Sequence, residues 1–254
     1  VRIHVEGIIV RDDARRRTLA RLAKDDDVRG VIVHVDSPGG SVVGGEDLYN
    51  SLRAIAETKP VATVMGTVAT SAAYMTAIAT DRIFAREGTI TGSIGVILQT
   101  ANVSELLGRI GIEPITIKST ALKGVPSPVE PLTPEGRAAT EQVVLDLYDF
   151  FVDLVIERRP IDAGAVRLLA DGRVFSGRQA VQNNLIDAIG DEAAAIDWMV
   201  REHDLPGGLP VETLRTSPDE DGLLEKITGL AGKSLFSNAL TLDGLVSLWQ
   251  PSPR

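Results

Sequence analysis

The sequence predicts an α/β protein built on a largely parallel sheet with helices layered over it. Three observations carry that prediction. Apolar runs of strand length, Ile3 to Val10, Val31 to Val35, Val61 to Met65 and Ile115 to Ile117, alternate with segments of helical periodicity. This is the pattern of strand–helix units. Two of the runs open directly into loops of glycine and small residues, Pro38-Gly39-Gly40 and Gly66 to Ala73, as happens at the carboxyl edge of parallel strands. The 254 residues, 44% hydrophobic and 24% charged, are enough to bury a full core.

Each element has its own signal. Gly45 to Glu57 places Leu48, Leu52 and Ile55 on one helical face, and Lys59 with Pro60 ends it. Val61 to Thr80 carries no charge, but its threonines, serine and glycine make it too polar for a membrane span. It reads as a buried strand followed by a helix. Thr133-Pro134-Glu135 is a helix start. The long helix it opens carries Val143, Val144, Leu147, Phe150, Phe151, Leu154 and Val155 as a broad stripe, suited to the core or to a subunit contact. Shorter helices are predicted over Ala165 to Ala170, Gly177 to Asn183 and Asp191 to His203. The Pro- and Gly-rich Leu205 to Pro210 and the polar Ser217 to Gly222 mark a boundary. Residues 1–205 are therefore expected to form one domain, and 206–254 a linker and an amphipathic tail. That tail is expected to be helical over Leu223 to Leu230 and Leu235 to Trp249, packing on its own body or on a neighbouring subunit.

Composition removes several function classes. A formal net charge of −9 argues against a phosphate-tracking surface, so no nucleic-acid partner is expected. The absence of cysteine eliminates disulfides, thiolate catalysis and thiolate-bound metal, and three histidines do not make a metal cage. No metal or organic cofactor is expected. The chain opens at Val1 without a charged-then-apolar leader, so any targeting segment is expected outside it.

Two loops could carry chemistry. Asp36-Ser37-Pro38-Gly39-Gly40-Ser41 follows a strand and leaves backbone N–H groups uncovered by side chains, which suits a negatively charged oxygen as well as it suits an ordinary turn. It lacks the Gly-Lys-Ser/Thr ending and the glycine spacing of nucleotide loops. Gly66 to Tyr74 leaves a strand and enters a helix of small residues. Ser71 there is either a helix cap or a nucleophile whose oxyanion would meet the Ala72 N–H. Because both loops follow successive parallel strands, they should open at one edge of the sheet.

In this order, Asp-Ser-Pro-Gly-Gly at 36–40, Ala69-Thr70-Ser71-Ala72-Ala73-Tyr74, Thr91-Gly92-Ser93-Ile94-Gly95, Ile117-Lys118-Ser119 and Asp171 to Ala180 resemble the signal peptide peptidase A (protease IV) family over residues 1–200. The resemblance implies a ClpP/crotonase-like fold of repeated β-β-α units and a serine endopeptidase with Ser71 as nucleophile. None of His4, His34 or His203 follows Ser71 in the Ser-His-Asp order, so a lysine base is needed. The resemblance places it at Lys123, assigns backbone oxyanion contacts to Gly39, Gly40 and Ala72, and gives Ser93 the task of orienting the lysine. A lysine base must drop from a pKa of about 10.4 to near 7, which burial can achieve. Leu122, Gly124, Val125 and Pro126 around Lys123 suit that, whereas Lys118 has Glu113 nearby.

Family members often carry Gly-Gly after the nucleophile, where this chain has Ala72-Ala73. With serine and lysine in a single copy of the fold, the resemblance further implies a ring-like homo-oligomer with shared sites. It also implies apolar peptide substrates such as signal-peptide remnants, and a location at the periplasmic or extracellular face of the cytoplasmic membrane through an anchor outside this chain. The competing readings are a crotonase-like acyl-CoA enzyme, a capsid-maturation peptidase and a non-catalytic scaffold of the same fold.

Overall fold

A computed structural model describes residues 1–216 and the strand Val246–Leu248. The first half contains β1 (Arg2–Ile9), α1 (Asp13–Ala23), β2 (Val31–Ser41), α2 (Val42–Ala56), β3 (Val61–Thr70), α3 (Ala72–Ala77), β4 (Arg82–Ala85) and β5 (Ile90–Gly92). The second contains α4 (Ser104–Arg109), α5 (Pro134–Arg158), α6 (Ala163–Leu169), β6 (Val174–Ser176), α7 (Gly177–Gln182), β7 (Ala188–Ile189), α8 (Glu192–Glu202) and β8 (Val246–Leu248).

β1, β2, β3, β4 and β7 lie side by side in that order, all parallel. Each long strand is two segments joined at a break. The β1–β2 register shifts between Glu6 and Ile8, where Gly7 takes φ +66°, and the β2–β3 register shifts between Val35 and Ser37. β3 pairs with β4 through Ala62–Val64, then turns to pair with β5 through Val68–Thr70. Two strand segments followed by a helix make the β-β-α unit. The sheet is covered on both faces, which explains why its strands read as near-continuous apolar runs. Val33, Val35 and Met65 pack with Leu48, Leu52 and Ile55 of α2 and Phe151 of α5, while Ile32, Val64 and Phe84 pack with Ala195, Trp198 and Met199 of α8.

The predicted helices over 45–57, 133 onward, 165–170, 177–183 and 191–203 are present as α2, α5, α6, α7 and α8. Thr133 caps α5 by accepting the Gly136 N–H at 3.1 Å. The uncharged run 61–80 is β3 and α3, with every residue from Ser71 to Thr80 buried. No described helix is long and apolar enough to cross a membrane.

One expectation fails, and another lies mostly outside the described residues. Ile115 to Ile117 is not a strand: it has no β partner among the described residues, and Ile115 and Ile117 are 85% and 95% exposed. β-propensity stabilises a strand only when a neighbour supplies the ladder. The tail expected as helical lies outside the described residues except for Val246–Leu248, which is extended and pairs with β2. Residues 205–216 return along β1, with Arg2 N–H donating to Glu212 O at 2.7 Å and Leu214 N–H to Arg2 O at 2.8 Å.

Candidate active site

Ser71 sits between the end of β3 and the start of α3 with φ 60° and ψ −123°, a conformation that L-residues with side chains rarely adopt. Its backbone is fixed from both sides: its N–H donates to Gly92 O at 2.8 Å and its carbonyl accepts from Met75 N–H at 2.9 Å. The residue is 1% exposed, yet its Oγ has no hydrogen-bond partner among the described residues. The capping alternative is thereby rejected, because no side-chain cap bond exists. A strained backbone costs about 1–3 kcal/mol and an unpaired buried hydroxyl a similar amount, a combination that structural serines avoid. Small residues let the surrounding helices close on it. A Cβ at Gly45 of α2 would stand 3.1 Å from Ala72 Cβ and 3.0 Å from Met75 Sδ.

The Gly-Gly loop is tied to this turn. Asp36 Oδ1 accepts the Val68 N–H at 3.1 Å, and Thr70 Oγ1 donates to Pro38 O at 3.0 Å. Both loops therefore open at the same sheet edge, as their order predicts. Gly39, at φ +110°, directs its N–H to Ser37 Oγ at 3.1 Å, and Ser37 Oγ in turn donates to Gly7 O at 2.6 Å. Gly40 pairs with Ile9 inside the ladder. Ala72 occupies the first position of α3, where an N–H has no intrahelical acceptor. Of the three candidate oxyanion donors, Ala72 is thus available by position, whereas Gly39 must exchange Ser37 Oγ for a ligand.

A cavity of about 550 Å³ holds Ser71 and Ser93 together. Its walls are Ile94 to Ile97, Val144, Leu145 and Tyr148 of α5, and Ala170 to Gly172. Ser93 has φ 53° and donates its N–H to Arg173 O at 2.8 Å, and its hydroxyl makes no hydrogen bond among the described residues. The one carboxylate on the wall, Asp171, is held below its ordinary range by its hydrogen bond with the Arg173 guanidinium, which weakens it as a base. No histidine lines the cavity. His4 and His34 stack at 5.2 Å on β1 and β2, His34 Nε2 lies 2.5 Å from Glu192 Oε2, and His203 packs edge-on against Trp198.

Lys123 is not brought to Ser71 within the chain. It lies exposed in the turn 121–124, donates its N–H to Thr120 O at 3.2 Å, and is not a wall of the cavity. The burial expected from its sequence neighbours does not reach Lys123: Leu122 is itself 51% exposed, and of those neighbours only Val125 and Pro126 further on are half-buried. Lys118 pairs with Glu130 rather than with Glu113. Sequence reasoning missed Val144, Leu145 and Tyr148 as cavity walls. Their only signal was membership of, or adjacency to, the α5 apolar stripe, which does not say which end of the helix meets the site.

Residues 53–205 match the family model "Peptidase family S49" and residues 5–90 match "Clp protease". The chain is 37% identical to a putative signal peptide peptidase SppA of Enterococcus faecium over 76% of this chain and 57% of that protein. It is 33% identical to a putative protease of Synechocystis over 90% and 82% of the two chains, and 31% identical to the chloroplastic serine protease SPPA of Arabidopsis thaliana over 86% and 32%. It thus spans little more than half of the Enterococcus relative and about a third of the Arabidopsis one. With the strained serine at the edge of a Clp protease-like parallel sheet, these matches establish that the chain belongs to peptidase family S49.

Proposed function

We propose that the protein is a serine endopeptidase in which Ser71 is the nucleophile and Lys123 of a neighbouring copy is the general base. The observation that carries this reading is the buried Ser71 hydroxyl, unpartnered among the described residues, in a strained turn that lines a cavity shared with Ser93. Ser71 Oγ attacks a peptide carbonyl while a neutral Lys123 amine takes the hydroxyl proton. The lysine returns that proton to the leaving amine, and water then releases the acyl-enzyme. The N–H of Ala72, joined by that of Gly39 once it leaves Ser37 Oγ, would hold the oxyanion, and the Ser93 hydroxyl would orient the incoming amine. A base supplied by a second copy accounts for an exposed Lys123 that does not line the cavity holding Ser71 and Ser93. The apolar cavity walls would desolvate that amine and lower its pKa.

The same walls favour extended peptides with small or apolar side chains. Together with relatives described as signal peptide peptidases, this supports remnant signal peptides as substrates. A ring-like homo-oligomer and an anchor to the outer face of the cytoplasmic membrane, supplied by a segment beyond these residues, complete the reading.

The test mixes two inactive variants. Ser71→Ala should lose fluorophosphonate labelling and peptide cleavage, and Lys123→Ala should lose cleavage. Mixing them should restore up to about a quarter of the activity if one wild-type site forms per pair of contacts. Labelling that persists in Ser71→Ala would remove the nucleophile assignment, and an unrestored mixture with proven subunit exchange would place the base within one chain.

A further inference from the structure

Ser71 and Ser93 are held by one antiparallel ribbon. β5 pairs with β6 through Thr91↔Phe175 and Gly92↔Val174. Gly92 O accepts the Ser71 N–H at 2.8 Å, and one step further on Arg173 O accepts the Ser93 N–H at 2.8 Å. The turn that delivers Arg173 passes through Asp171 and Gly172, both walls of the cavity, with Gly172 at φ +86°. Asp171 Oδ1 accepts the Arg173 N–H at 3.1 Å, and Arg173 Nε donates to both Asp171 carboxylate oxygens at 2.8 Å. Nη2 of the same guanidinium also donates to Oδ2.

With side chains 62% and 44% exposed, Arg173 and Asp171 form a surface ion pair that adds little to stability. Its place matters more than its strength. Segment 93–97 brings no charge to the cavity, α5 brings only the Tyr148 phenol, and the 170–172 turn brings the Asp171 carboxylate. Just before that turn, Arg167 of α6 is taken up by Asp149 of α5 at 2.8 Å, and Lys123 sits on a segment whose Lys118 is paired with Glu130. Asp171 is therefore the one negative charge that an amine entering beside Ser93 would meet on these walls. A free carboxylate there would favour the ammonium form and raise the pKa of the amine by about 1–3 units, the wrong direction for a general base. The carboxylate is not free. Its guanidinium partner holds it below the ordinary range and is itself raised in return.

We infer that Arg173 is a positioning residue for the reaction: its guanidinium covers the Asp171 carboxylate and keeps the cavity wall electrically neutral, so that the amine entering beside Ser93 stays uncharged. The inference rests on the reading of a lysine amine as the base at this site. Arg173 is not itself a wall of the cavity, so it acts through Asp171. Removing either member of the pair has an effect of opposite sign. Loss of the guanidinium leaves a bare negative charge on the wall, and loss of the carboxylate leaves a bare positive one beside it.

The test follows kcat/KM for an apolar peptide ester against pH in the full-length protein. The acid limb, on which activity rises as the base loses its proton, should move up by about one pH unit in Arg173→Gln and down by about half a unit in Asp171→Asn. The two substitutions together should return the limb to within about 0.3 unit of its position in the unmodified protein, and Arg173→Lys should recover at least half of the Arg173→Gln shift. Every variant keeps the backbone carbonyl that holds Ser93. Where turnover is too slow to follow, the rate of Ser71 labelling by a fluorophosphonate reads the same limb. Limbs that stay in place, or that move the same way in both single variants, would overturn the inference and leave the pair as a brace for the turn under Ser93, with the serine–lysine reading intact. If Lys123→Ala keeps the unmodified profile, the base is misassigned and the functional reading falls together with the inference.

Discussion

Ser71 bears two costs at once, a backbone at φ 60° and a buried hydroxyl that has no hydrogen-bond partner among the described residues. Activity and stability are therefore set against each other at this residue. Ser71→Ala keeps the backbone strain but removes the unpaired hydroxyl, so it should raise stability by about 1 kcal/mol, or roughly 2–4 °C in Tm for a chain of this size, while abolishing labelling. Calorimetry checks this, and a fall in Tm would mean that the hydroxyl is hydrogen-bonded after all. Thr70 makes the opposite case. Its Oγ1 bond to Pro38 O at 3.0 Å joins the nucleophile turn to the Gly-Gly loop. Thr70→Val should cost about 1 kcal/mol of stability and should lower kcat about tenfold, because the oxyanion donors would be released from the serine they serve. Unchanged kcat would show that the two loops hold their positions without this bond.

At the scale of elements, the long strands β1 to β3 and the starts of α5, α7 and α8 were legible because local physics sets them, whereas the short strands β4 to β7 gave no such signal. Thr133 caps α5 and Asp191 caps α8 through their own side chains, as their residue types promise. What local pattern could not say is where an amphipathic stripe changes partners. α5 buries Phe151, Val152 and Val155 completely, whereas Val143 and Leu145 toward its start are 48% and 58% exposed. Phe151→Ala should cost about 3–5 kcal/mol and shift the denaturation midpoint accordingly. Leu145→Ser should leave stability within about 0.5 kcal/mol and instead alter which peptides are cleaved, since Leu145 lines the cavity. α8 is docked electrostatically as well as by its apolar face. The carboxyl of Glu192 is held below its usual range first by the Arg2 guanidinium and then by its contact with His34. The depressed value means that this contact stabilises the fold above the ordinary glutamate pKa, about 4.3, and is lost as pH falls through the lowered value. Glu192→Gln should accordingly flatten the acid limb of the stability curve, and an acid limb as steep as in the unmodified protein would show that Glu192 does not set it.

For the whole molecule, the proposed dyad is divided: Ser71 is held in a buried turn, whereas Lys123 stands exposed and apart from it. Ser71 is placed by consecutive strands whose order is written in the chain. If Lys123 acts on the serine of a neighbouring copy, as proposed, its placement depends on a contact surface between chains. That surface has a visible candidate. Residues 97–132 hold only the short α4, and Ile110, Ile112, Ile115 and Ile117 stand 51% to 95% exposed along it, beside the exposed Lys123. So much uncovered aliphatic surface on one arm is unfavourable in water and marks a contact. If a neighbouring copy covers it, the contact that removes the isoleucines from water also carries Lys123 toward the Ser71 cavity, so assembly and catalysis share one cause. Ile115→Asp combined with Ile117→Asp puts two charges into that contact while touching nothing in the core. Light scattering should find the variant as a 27.1 kDa monomer of unchanged Tm, where the unmodified chain is larger. Peptide cleavage should fall by at least a hundredfold even though Ser71 and Lys123 are both present. A monomer with full activity would show that the lysine reaches the serine within one chain, and a variant that still assembles would place the contact elsewhere on the molecule.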